Sequence, residues 1–81
     1  MKTDELVKKA VKYIRKYKDW SEADESAALD KMATYRCDID FANHSIAENI
    51  QEILEEFQIE NNLADDWWSQ QGSIDDWFMI L

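Results

Sequence analysis

The residues able to do covalent chemistry in this 81-residue chain are few: one cysteine, Cys37, and one histidine, His44. They stand seven positions apart, across a stretch that reads as a loop, so a thiol–imidazole contact is geometrically open to them. The simpler expectation is that His44 flanks a helix cap and that Cys37 packs as a small apolar group. Asp38 and Asp40 with His44 offer hard oxygens and an imidazole, the donor types that suit divalent cations. No calcium-loop pattern accompanies them, so they read as solvated loop carboxylates, with no metal and no cofactor expected. Adjacent acid pairs such as Asp65–Asp66 and Asp75–Asp76 do not make a hydrolase, because that chemistry needs carboxylates facing each other across a cleft. Gly72 is the one glycine and makes no phosphate-cradling loop. These residues point away from an enzyme.

What remains is charge, and it is divided unevenly. Seven of the nine basic residues lie in the first 18 positions, set there against Asp4 and Glu5 alone. The rest of the chain holds Lys31 and Arg36 against 16 acids, and the whole carries −9 at neutral pH. Such polarity reports on partners rather than on fold.

The elements that place these charges are expected to be helices. With no proline and a single glycine, sheets and long loops lack their usual turn residues. The expected fold is all-α: one domain over residues 1–81, with three main helices closed by a short aromatic-rich C-terminal helical pair. The first helix runs from about Asp4 to Lys18, the second from about Glu22 to Arg36 and the third from about Ile46 to Ile59. Leu63 to Gln71 reads as a short fourth helix, with Gly72 as its C′ stop. Residues 74–81 fit a helix or a strand by periodicity, and the serine before them favours the helix. Three serines are each followed by an acid three residues on: Ser21 with Asp24, Ser45 with Glu48, and Ser73 with Asp76. That is the capping-box spacing. Between the second and third helices, Ile39 and Phe41 are expected to pin the connection. The predicted core holds Val7, Ile14, Tyr17, Met32, Tyr35, Ile46, Ile50, Ile53, Phe57 and at least two of Trp67, Trp68, Trp77 and Phe78. On the second helix Ala28 and Leu29 join Met32 and Tyr35 on the inner face.

Helical spacing then assigns candidate surfaces. Lys8, Lys9, Lys12, Arg15 and Lys16 fill the side of the first helix opposite its apolar stripe. Glu48, Glu52, Glu55 and Glu56 do the same on the third. If both stripes face one core, the two charged faces point to different sides and do not neutralise each other. Asp65 and Asp66 extend the acidic candidates. Trp67 and Trp68 point about 100° apart on a helix, so both cannot face inward. With Trp77 they form an aromatic edge of a residue type enriched at binding hot spots.

In size, acidity and helicity the chain resembles the small acidic proteins by which phages and mobile elements block nucleases or restriction systems. It also resembles the acidic helical immunity proteins of bacterial toxins. No motif of either group is present, and the adjacent tyrosines of the nuclease immunity proteins are absent. The resemblance implies a non-enzymatic inhibitor or adaptor that docks its acidic face on a basic, nucleic-acid-binding surface of a protein partner. The alternative is a small regulator that contacts nucleic acid through its basic first helix, against the repulsion of the remaining acids. One unpaired cysteine reads as a cytoplasmic protein. No signal peptide or membrane span is expected. A monomer or weak homodimer is the expected state.

Overall fold

The computed structural model describes residues 4–81, with the backbone alone at Phe41. Lys2 and the Phe41 side chain therefore lie outside the described residues. The order is α1 (Glu5–Tyr17), α2 (Glu22–Tyr35), α3 (Ile39–Ala42), α4 (His44–Glu60), α5 (Trp67–Gln71) and α6 (Ile74–Met79), with no strand among the described residues. Three long helices and a short aromatic C-terminal pair are present, as expected, and α3 is an addition within the predicted loop.

α1 begins where Asp4 accepts the free Val7 amide at 2.8 Å, one of the first-turn donors left without a helical partner. Its apolar stripe buries Val7, Ala10 and Ile14. α2 opens with the expected box: Ser21 Oγ accepts from the Asp24 amide at 3.2 Å, and Asp24 reaches back to the Ser21 amide. Its C-cap is Arg36, in the left-handed region at φ 53°.

α4 starts earlier than Ser45. Asn43 is its cap and accepts from the Ile46 amide at 3.3 Å, so the Ser45–Glu48 box does not form. The reason is local: α3 ends at Ala42, Asn43 alone separates it from α4, and Asn caps as well as Ser. Ile46, Ala47, Ile50, Ile53, Leu54 and Phe57 are buried along α4. The helix stops at a Schellman-type turn. Asn62 takes φ 54°, and the Leu63 amide donates to the Gln58 carbonyl at 2.8 Å.

The helix expected over residues 63–71 covers only Trp67–Gln71. Gln58 explains the shortfall. Its Nε2 donates to the Asp65 carbonyl and its Oε1 accepts from the Trp68 amide, both at 2.8 Å, which fastens a turn where a helix was expected. Gly72 is the cap residue, and its φ of 164° is ordinary extended backbone, so it is not a left-handed stop. Its lack of a side chain matters for space: a Cβ there would lie 2.9 Å from Asp76 Oδ2 and 3.0 Å from Asp76 Cβ. Asp76 in turn accepts from the Ser73 amide at 3.0 Å at the start of α6. Residues 74–79 are helical, not strand.

The core is built from α1, α3, α4 and α6, with Ile14, Ile39, Ile50, Leu54 and Trp77 fully buried. Trp77 and Phe78 meet the expectation for the aromatic quartet, while Trp67 and Trp68 are half-buried against the core. Two expected core residues are on the surface: Tyr17 is 49% exposed and Tyr35 72%. Met32 is half-buried, and Leu29 is exposed. For Tyr35, Met32 and Leu29 the cause lies in α2, which buries only Ala28. Its acids and alanines form no continuous apolar stripe, so the helix meets the core through Ala28 and half-buried Met32 rather than along a whole side.

Candidate functional site

α4 turns Glu48, Glu52 and Glu55 to solvent, away from the side that buries Ile46, Ile50, Ile53 and Phe57. Glu48, Glu52 and Glu55 line one shallow groove with Gln51, whose Nε2 donates to Glu55 Oε1 at 3.3 Å. Gln51 also borders a second cleft, lined by Asp38, Asp40, Trp68, Ser73 and Asp75. The acidic surface thus runs from α4 around to the α3 turn and the start of α6. His44 joins the two parts, with Nε2 2.9 Å from Glu48 and Nδ1 3.4 Å from Asp40.

The remaining acidic candidates sit elsewhere. Glu56 faces the α1 side of α4. The Tyr13 hydroxyl is pushed up to about 12 by burial, then by its hydrogen bond to Glu60 and the charges of Glu60 and Glu56. Asp65 and Asp66 are exposed in the turn before α5 and do not line the Glu48–Glu52–Glu55 groove. Of the aromatic candidates, Trp68 borders the acidic cleft. Trp67 is half-buried, its ring centroid 5.6 Å from Phe57 and 5.7 Å from Trp77. Trp77 is fully buried, with Nε1 donating to the Trp68 carbonyl at 2.9 Å, so it is core and offers nothing to a partner.

Lys8, Lys9, Lys12, Arg15 and Lys16 are all exposed along α1. The first four, with Glu5, rim a groove of about 590 Å³ whose floor is Val7, Val11 and Ile80. Lys16 lies on the other flank, 5.2 Å over the Tyr17 ring. Among the described residues no salt bridge joins this basic side to the α4 carboxylates. The pair that involves a basic residue of the N-terminal segment is Lys18–Glu25, at 2.7 Å. Partial burial opposes ionisation of Glu25. Hydrogen bonds from Lys18 and Trp20 Nε1, helped by the charges of Lys18 and Arg15, outweigh it and hold its carboxyl below the usual range.

The cysteine–histidine pair does not assemble. Both ring nitrogens of His44 face carboxylates, and Cys37 Sγ has the Lys31 carbonyl 3.9 Å away. Among the described residues, no group of three or more His, Cys, Asp or Glu side chains is placed to hold a metal ion. No helix there is long and apolar enough to cross a membrane.

Two parts of the surface escaped sequence reasoning. Asp38, Asp40 and Asp75 meet Trp68 only through packing of distant segments, and no spacing rule announces that. Ile59 did carry a signal. It stands four residues after Glu55 and seven after Glu52, on the same outward face, and it is 75% exposed.

No protein-family model, curated protein or solved structure matches the chain. The geometry defines a small all-α protein with an acidic side and a basic side held apart by one core.

Proposed function

We propose that the protein is a non-enzymatic interaction module: a small acidic inhibitor or adaptor that docks on a basic, nucleic-acid-binding surface of a partner protein. The observation that carries this reading is the exposed row of Glu48, Glu52 and Glu55, continued past Gln51 by Asp38, Asp40 and Asp75 around Trp68. Carboxylates four residues apart on a helix recur about every 6 Å. Among the described residues no salt bridge joins Glu48, Glu52 or Glu55 to the lysines of α1, which favours their field acting on a partner. Like charges at this spacing repel by a few tenths of a kcal/mol per pair, which a basic surface relieves. Complementary charge also steers encounter and raises the association rate. Trp68, at the end of the row, supplies a flat apolar anchor of the sort that dominates interface energetics. The cytoplasm is the compartment this reading requires, and the manner of action is that of anti-defence proteins from phages and mobile elements.

The test is capture from a nuclease-treated bacterial lysate at low and moderate salt, with a Glu48→Gln, Glu52→Gln, Glu55→Gln variant in parallel. The reading expects specific basic proteins on the wild type, fewer at moderate salt, and none on the variant. Identical recovery on both proteins refutes it. A second reading, contact with nucleic acid through α1, draws on the exposed run of Lys8, Lys9, Lys12 and Arg15. It expects DNA retention that falls steeply with salt and is lost on charge reversal at Lys8, Lys12 and Arg15.

A further inference from the structure

We infer that the protein self-associates head to tail, the acidic ridge of α4 with Ile59 at its end seating in the basic-rimmed groove of α1 on a second copy.

The groove sets the chemistry of its occupant. Its floor is apolar, formed by Val7, Val11 and Ile80, and its rim is net cationic, with Lys8, Lys9, Lys12 and Arg15 outnumbering Glu5. An occupant must therefore bring an apolar side chain flanked by carboxylates. A phosphate backbone would satisfy the rim and leave the floor uncovered. A flat bilayer would meet the lysines first, since Val7 is only 1% exposed and lies below them.

The molecule itself presents the complementary shape. Ile59 is the most exposed large hydrophobic side chain among the described residues. One turn before it on α4 stand Glu55 and Glu56, and two turns before it Glu52, all exposed. An isolated surface isoleucine would need no explanation. One that ends a row of carboxylates, on a chain that also carries an apolar groove edged with lysines, has a matching seat.

The contact cannot close on itself as a reciprocal pair. α1 and α4 pack through their apolar stripes, with Tyr13 on one flank of α1 against Phe57, ring centroids 5.6 Å apart. The groove lies on the other flank, towards Ile80. Knob and groove thus face different sides of one molecule, which makes the interface heterologous and the product a ring or an open chain larger than a dimer. The overall −9 opposes assembly when salt is very low. At about 0.15 M ionic strength the screening length is about 8 Å, which dampens that distant repulsion while leaving contact pairs largely intact. This inference does not depend on the partner reading above.

Sedimentation velocity over rising protein concentration at about 0.15 M salt tests it. The wild type should grow past dimer. Ile59→Lys alone, and Lys8→Glu with Lys12→Glu alone, should each weaken association at least tenfold, with helix content by circular dichroism unchanged because all three residues are exposed. Mixed in equal amounts, the two variants should form a 1:1 dimer, since one retains the groove and the other the knob. A wild type that stays monomeric into the millimolar range overturns the inference. So does association that survives either variant, or a mixture that fails to pair. Loss of partner capture with self-association intact would instead sink the partner reading alone.

Discussion

Replacing Gln58 should loosen the C-terminal aromatic edge far more than its single side chain suggests. Gln58 is 3% exposed and spends both ends of its amide on backbone: the Asp65 carbonyl and the Trp68 amide, each at 2.8 Å. Gln58→Leu keeps the volume and removes both bonds. Two part-buried backbone groups then lose this partner, at up to about 1–3 kcal/mol each, with about 1–2 kcal/mol returned by the apolar side chain. At the middle of those ranges the expected net loss is about 2–3 kcal/mol, from a total stability of about 4–12 kcal/mol for a chain of this length. Urea unfolding followed by tryptophan fluorescence measures it directly, because Trp68 is bonded to Gln58. The denaturant slope should stay constant. Gln58→Glu adds a pH test. A protonated carboxyl donates and accepts as the amide does, but an ionised one only accepts. Burial raises the folded-state pKa of the new group, so its penalty is absent below the unfolded value of about 4.3 and grows as pH rises through that value. The deficit against wild type should therefore be small near pH 4 and large near pH 7. A Gln58→Leu loss under about 0.5 kcal/mol, or a Gln58→Glu deficit independent of pH, would refute the clamp.

The other expectations are simpler. Gly72→Ala should destabilise by about 1–2 kcal/mol, seen as a lowered Tm, because the new methyl drives Asp76 off the Ser73 amide. Ile50→Ala should cost about 2–5 kcal/mol in denaturant unfolding, while Tyr35→Ala should change stability by less than about 0.5 kcal/mol. Glu25 contributes stability that is present above its ordinary value of 4.5 and is lost as pH falls through its lowered folded value. Glu25→Gln should remove that part of the acid sensitivity, checked by thermal melts across the acid range.

The sequence was most legible where one face does one job. α1 and α4 alternate apolar and charged positions at helical period, so their charged sides followed directly. Caps were harder, because Asn43 and Ser45 are both competent and only the abrupt end of α3 decides between them. α2 misled because its alanines fit an inner face without requiring one, and Tyr35 ended up in solvent. The turn before α5 was hidden because a buried glutamine two residues from the end of α4 looks, in sequence, like any exposed one. The cleft of Asp38, Asp40, Asp75 and Trp68 was not legible, since three separate segments meet there only after folding.

The thin attachment of α2 also shapes how the molecule opens. One buried alanine, half-buried Met32 and the Lys18–Glu25–Trp20 latch hold a helix of 14 residues that would be marginal in isolation. Its amides should exchange with solvent at a lower free energy than those of α4, which sits at the centre of the core. The protein then has two levels of opening. α2 comes away first, leaving the packed stripes of α1 and α4 together, and only global unfolding separates the two charged flanks.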